Sequence, residues 1–230
     1  MNTVCHYIRK TGAKTLFLLS ALTALFTATS CDEHESIDST IYPGHIMLAD
    51  GSVITPDSSD PILHRAVAVF FAPKTEKHEA LAVLLQESSI LAVSDTALVT
   101  LGTDLGTSGS ETEYDGYKNT IALQSKKSPI AVDAFSFHYL AMSDYVPSVS
   151  EMGLLYLSKA TVNPVIDKLG GDTIATTGPA CWYWTSTEVS QNKGYQAWAF
   201  SMSDGSRHKA PVCNTYHTRY IVEYNPLSVK

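Results

Sequence analysis

The chain has 230 residues, 44% of them hydrophobic, with 16 Lys and Arg against 23 Asp and Glu and a formal net charge of −7. This composition sits at no extreme and provides for one large domain or two small ones. The acidic balance argues against nucleic acid as a partner, because neutralising phosphates takes clustered Lys and Arg that this chain lacks.

The N-terminus reads as an export signal. Arg9, Lys10 and Lys14 precede the apolar segment Thr15 to Ala28, which runs into small residues and Cys31. That apolar core is too short to cross ~30 Å of hydrocarbon at 1.5 Å per residue, so cleavage is expected rather than a permanent membrane helix. Ala28-Thr29-Ser30-Cys31 resembles the lipobox of bacterial lipoproteins, with Ala where Leu is commonest. Residues 1–30 are then a signal peptide and Cys31 is the lipidated first residue. Residues 31–41 form an acidic tether, in which Asp32, Glu33, His34 and Glu35 resemble the surface-export signal of some Gram-negative lipoproteins. The expected location is the outer membrane, lipid-anchored, facing outward. Folded structure is expected over residues 42–230.

Along that domain the first strand signals are Ile46 to Leu48 and Ser52 to Thr55, which flank Asp50-Gly51, a pair that supplies the positive φ of a tight hairpin turn. Arg65 to Ala72 and Ala80 to Gln86 are continuous apolar runs across a charged turn and read as neighbouring buried strands. Residues 102–120, rich in Gly, Thr, Ser and Asp, have no usable period and read as a surface loop. Ala131 to Met142 carries a helical spacing, with His138 as a structural histidine.

Ser148 and Glu151 stand at capping-box spacing, so each side chain can satisfy an orphan amide at the start of a helix from Val149 to Lys159 whose apolar face holds Met152, Leu155 and Tyr156. Asn163-Pro164 predicts the opening of a second helix that stops at Gly170-Gly171. Three aromatic strands follow: Cys181 to Glu188, Tyr195 to Met202 and His217 to Tyr224. In the second, Trp198, Phe200 and Met202 face one side and Ala197, Ala199 and Ser201 the other, with one face as core. Of the four cysteines, Cys5 leaves with the signal and Cys31 carries lipid, so Cys181 and Cys213 are an expected disulfide. They have no C-x-x-C spacing, and with His208 and His217 they make no zinc pattern, so neither a metal nor a cofactor is expected.

Tyr145-Val146-Pro147-Ser148 with Glu151-Met152, then Leu169-Gly170-Gly171, Tyr183 to Glu188, and Ala197-Trp198 before Asp204-Gly205 together resemble the C-terminal domain of collagen-like bacterial adhesins, a branch of the C-type lectin-like fold. The resemblance covers Tyr42 to Tyr224 and is strongest from 144 onward. Asp144 stands where that family usually has Trp, and its Arg-rich last strand is reduced to Arg219. The resemblance implies an α+β, C-type lectin-like fold with mixed antiparallel strands and two or three short helices, whose late strands and loops present a ligand-binding face.

The calcium-binding sugar signatures of true C-type lectins are absent, so a calcium-independent adhesin recognising an extracellular glycan or protein is expected. The candidate ligand-binding residues are Tyr195, Arg207, His208, Asn214, Tyr216 and His217, all in or beside the expected late loops. Trp182, Trp184 and Trp198 read as core, and Glu188 as a structural hydrogen-bonding residue. No nucleophile elbow, zinc-protease motif or phosphate loop is present, so an enzyme is not expected. Two alternatives stand beside the adhesin: a structural subunit of a surface fibre or envelope complex, and a formylglycine-generating-type oxidase using Cys181 and Cys213.

Overall fold

A computed structural model of the chain describes residues 40–57, 65–136 and 144–225. The signal segment, Cys31, the tether up to residue 39 and His138 lie outside the described residues. The described fold is α+β, with antiparallel sheets and four helices. Its central sheet contains β1 (Ile46–Leu48), β2 (Val53–Ile54), β3 (Ala66–Ala72), β4 (Ala80–Leu84) and β10 (Ile221–Tyr224), in the order β10-β4-β3-β1-β2. A second sheet orders β6 (Trp182–Glu188), β7 (Gln196–Ser201) and β8 (Arg207–Pro211) in sequence, and β5 (Leu91–Ala92) pairs with β9 (Thr215–Tyr216).

The β1–β2 hairpin turns where Asp50-Gly51 predicts it. Gly51 has φ 79°, its N–H donates to Leu48 O at 2.9 Å, and Asp50 Oδ1 accepts from Ser52 N at 3.0 Å. β3 and β4 are apolar throughout because both faces of their sheet are covered. Ala68, Phe70, Ala82 and Leu84 belong to one core with Leu123, Ile130, Trp184 and Ala199. Val69, Phe71, Leu81 and Val83 belong to a second with Met152, Leu155, Val162 and Ile166. The first core is roofed by α2 (Gly116–Ser125), α3 (Pro129–Ala134) and the second sheet, and the second by α4 (Val149–Lys168). α1 (Thr96–Thr100) is a single turn capped by the Asp95 carboxylate, which accepts from Leu98 N at 2.8 Å.

The expected pair of helices on either side of residue 160 is one helix of 20 residues with Pro164 inside it. Proline removes one intrahelical hydrogen bond, but Val162, Val165 and Ile166 are buried against the central sheet on this side of the helix. Packing therefore overrides the local stop. Asn163 is not a cap: its side-chain amide donates to Ile174 O and its carbonyl accepts from Ile174 N, both at 2.9 Å, clasping the chain that follows the helix. The helix ends at Gly170, φ 71°, as expected. The expected loop 102–120 is also corrected, since α2 starts at Gly116. The expected helix from Ala131 to Met142 is described only as α3, Pro129–Ala134, and residues 137–143 lie outside the described set.

β7 alternates as expected but is covered on both faces, not one. Ala197 and Ala199 enter the first core, Phe200 and Met202 the second, and Trp198 packs with Val149 and Val189. The Cys181–Cys213 disulfide is not formed, and both thiols are free. Cys181 lies beside the far end of β7, where Met202 N donates to its carbonyl, whereas Cys213 follows Val212, whose N–H donates to Tyr195 O at the near end. Six β residues at ~3.3 Å each separate the two levels by about 20 Å, against the roughly 4–7 Å between Cα atoms that a disulfide spans.

The capping box at the start of α4 forms with both halves. Ser148 N donates to Glu151 Oε2 at 2.6 Å, and Glu151 N donates to Ser148 Oγ at 3.4 Å. Glu151 is fully buried and also accepts from the Tyr145 hydroxyl at 3.3 Å. Burial raises its carboxyl to about 7, against the lowering effect of the two Ser148 hydrogen bonds. The folded chain thus keeps a proton that the unfolded chain releases near 4.5. Stability from this group is fully present below that pH and declines as pH rises towards 7, by about 3 kcal/mol at 1.36 kcal/mol per unit. Urea unfolding of wild type and Glu151→Gln at pH 4.5 and 7.5 should show the wild type losing that amount relative to the variant; parallel behaviour of the two would refute the assignment.

Candidate functional site

The six residues expected to bind ligand do not form one site. Arg207 and His208, expected in a loop, lie on β8, an edge strand of the second sheet, where their side chains point to opposite faces. Tyr195 precedes β7, is 51% exposed, and lies over Gly102. Asn214 is exposed in the turn after β8, its N–H donating to Pro211 O at 2.9 Å.

His208 and Tyr216 do come together. His208 Nε2 is 3.3 Å from the Tyr216 hydroxyl, and the His208 ring meets Trp182 edge-on at 4.3 Å between centroids. Tyr216 in turn packs edge-on against Trp184 at 4.9 Å. Trp184 is fully buried, with Nε1 donating to Leu91 O at 3.1 Å, whereas Trp182, His208 and Tyr216 are each half-buried. Trp182 was expected in the core beside Trp184 and Trp198; at the start of β6 it is half-buried, packed against the first core while also joining this aromatic group. Alternation along β6 separates it by two residues from Trp184 on the same face, which is the sequence signal for its place.

His217 belongs to a different cluster. Its Nδ1 lies 2.9 Å from Glu87 Oε2, and Glu87 also faces Arg219 at 3.9 Å. Arg219 is fully buried and donates to Leu84 O and Leu85 O at 2.9 and 3.3 Å. This group braces the end of β4 against the final segment and is structural in its contacts. Glu188 is likewise structural. Its buried carboxylate accepts from Leu105 N and Thr107 N at 3.2 Å, Thr107 Oγ1 at 2.9 Å and Gly194 N at 2.7 Å. One carboxylate therefore pins the 105–107 segment and the turn before β7 onto β6.

A groove of about 470 Å³ opens beside Arg207. Its floor is apolar, from Val149, Leu154 and Phe200, and its rim carries Glu111, Ser150, Asp204 and Arg207. Arg207 Nη2 pairs with Glu111 Oε2 at 3.1 Å across the rim. Asp204 is held at about 2 by hydrogen bonds, first from the Ser206 hydroxyl. Gly153, in the second turn of α4, lines the groove, and a Cβ placed there would meet nothing within 4 Å. Glycine in a helix interior costs roughly 0.5–1 kcal/mol relative to Ala, and no neighbour in the fold requires it here. The sequence reading missed Glu111, Ser150, Gly153 and Asp204; a mid-helix glycine on an otherwise good helix former was the available signal. Among the described residues no group of three or more His, Cys, Asp or Glu side chains is arranged to hold a metal ion.

No known family profile matches the chain, and no curated protein matches it. Among solved structures the chain is similar to a fimbrial protein from Bacteroides ovatus, at 18% identity and a TM-score of 0.57. The match covers 80% of this chain and 49% of that one, so the chain spans about half the length of its neighbour. At that identity the likeness shows a shared fold.

Glu188→Ala leaves three buried N–H groups without an acceptor and is expected to cost about 3 kcal/mol or more. Glu188→Gln should recover only part of this, since its NH₂ must face donors. Chemical unfolding with amide exchange at residues 105–107 tests both; normal protection there in the alanine variant would refute the pinning role.

Proposed function

We propose that this protein is a subunit of a surface fibre or fimbria-type assembly, delivered as a lipoprotein, anchored in the outer membrane at Cys31 and facing outward. The observation that carries this reading is the fold shared with a fimbrial protein over most of the chain. The signal segment and Cys31 support the anchoring half of it. The acidic residues behind Cys31 support the outward face.

A second reading, ligand binding by a C-type lectin-like domain of the collagen-like adhesin type, is favoured by one specific feature. Trp182 of β6, His208 of the edge strand β8 and Tyr216 of β9 form a half-buried aromatic group where the second sheet meets the β5–β9 pair. Amphipathic aromatics in that setting provide contact area at little conformational cost. The two free cysteines that the oxidase alternative would use stand at opposite ends of β7. The ligand is an extracellular glycan or protein, taken up without calcium. The two readings are compatible, because a fibre subunit can carry a recognition surface.

In the producing bacterium, immunogold labelling of intact cells is expected to decorate surface fibres. Cys31→Ala is expected to abolish palmitate incorporation and release the chain from the membrane fraction. Labelling that requires permeabilised cells would reject the surface assignment. On matrix-protein arrays, Trp182→Ala with Tyr216→Ala should weaken calcium-independent binding at least tenfold, and undiminished binding would remove the aromatic group from the site.

A further inference from the structure

We infer that the groove between α4 and the β7–β8 turn is a binding site for a neutral pyranose ring. This inference rests on the reading of the chain as a ligand-binding surface protein and names a ligand class for a second place on it, on the face of β8 opposite His208.

Two of the three charged side chains on the rim pair with each other, and the third, Asp204, is held by hydrogen bonds from Ser206. Arg207 and Glu111 neutralise one another at 3.1 Å, and Lys159 sits 3.4 Å over the ring of Tyr156, whose other neighbours include Gly205 of the β7–β8 turn next to Asp204. An anionic ligand would meet the ionised carboxylate of Asp204, and a charged group seeking Arg207 or Glu111 would have to break an existing pair. What the rim offers is a mixture of donors and acceptors: the guanidinium of Arg207, the carboxylates of Glu111 and Asp204, and the hydroxyl groups of Tyr114 and Tyr156. Arg207 presents five N–H donors in a planar fork, suited to adjacent hydroxyls. Beneath them lie Val149, Leu154 and Phe200, with Leu157, 76% exposed, at the mouth. A ring with one apolar C–H face and a rim of uncharged hydroxyls is the complement of that lining.

Gly153 is the independent observation. It opens the floor at a point where an alanine would stabilise the helix and touch nothing. Space kept open in this way, in a groove with a converging polar rim, is space for a ligand. The volume of about 470 Å³ lies within the range of small-molecule sites and is ample for one or two sugar rings.

The test uses the full chain in a polyoxyethylene detergent, which brings no sugar of its own, and saturation-transfer NMR with the methyl glycosides of mannose, galactose, glucose and N-acetylglucosamine. At least one glycoside is expected to show transfer that falls tenfold or more in Gly153→Phe and in the Arg207→Ala/Glu111→Ala double variant. Gly153→Ala, which adds one methyl, should melt at or above the wild-type temperature and show that position 153 tolerates a side chain. Binding must persist in the Trp182→Ala/Tyr216→Ala variant, which separates this groove from the aromatic group. Absence of transfer from all four glycosides, or transfer untouched by the groove variants when these melt like wild type, overturns the assignment. Loss of transfer only in the Trp182 and Tyr216 variant also overturns it, while leaving the ligand-binding reading of the chain in place.

Discussion

The carboxyl of Glu151 is the point on which the central sheet, the second sheet and two of the helices converge. It caps α4 through Ser148 and accepts from Tyr145, and the backbone of Tyr145 exchanges two hydrogen bonds of 3.0 Å with Ile221 at the edge of the central sheet. Two residues beyond Tyr145, Pro147 O accepts from Ser186 N of β6 at 2.8 Å, and Val149 N donates to Thr187 Oγ1 at 3.2 Å. Gly116, at the start of α2, lies so close to Glu151, Ser148 and Tyr145 that any Cβ would collide with them. A glycine is required there by close approach and not by its φ, and a larger residue would separate α2 from the junction. Burying one carboxyl among these elements costs desolvation, which the raised proton affinity of Glu151 expresses. The gain is one fixed spacing between helix, central sheet and second sheet.

From that junction the rest of the geometry follows. The central sheet must be covered on both sides, since β3 and β4 are apolar at every position, and the chain supplies α4 to one side and the second sheet with α2 and α3 to the other. β7, the middle strand of the second sheet, therefore serves both cores. Its alanines allow close approach to the first, while Phe200, with Met202 just past the strand's end, fills the second. Trp198 closes a small cluster with Val149 and Val189 and lies under the cations of Arg207 and Lys209 at 5.5 and 5.4 Å. The groove's floor is thus continuous with the core and rigid on that account.

Much of this was legible in the residues. Continuous apolar runs gave the buried strands, Asp50-Gly51 gave the first hairpin, and the Ser148–Glu151 pair gave the start of α4 to the residue. What was not legible has physical causes. Pro164 reads as a helix start because local sterics say so, and only the burial of Val162, Val165 and Ile166 reveals that tertiary packing outweighs one lost hydrogen bond. β8, Arg-His-Lys-Ala-Pro, has no strand composition because it is an edge whose charges and proline discourage further pairing. Loop 102–120 has no period, yet Leu105 and Thr107 are buried, since a carboxylate 81 to 83 residues away gathers their amides. The cysteine pair failed for a related reason: an even count says nothing about which ends of a strand the two thiols will occupy. The candidate ligand residues were chosen for being late, polar and aromatic, and the fold distributes them over both faces of β8 and both ends of β7. Only His208 and Tyr216 remain together.

That distribution bears on how function can be dissected. The aromatic group and the groove occupy opposite faces of β8, and both hang from β7 through its ladder, with Trp198 opposite Lys209 and Ala199 opposite His208. Core substitutions in β7 or in Glu188 would disturb both surfaces at once and would not distinguish them. Rim residues behave differently. Arg207 and Glu111 are partly solvent-exposed, so truncating them removes contact groups without opening a cavity. Their ion pair adds little to stability where it stands. A surface of low structural importance on a rigid double-sided scaffold is where recognition can vary while the fold stays fixed. The likeness to a solved structure at 18% identity shows that the fold itself persists through wide sequence change.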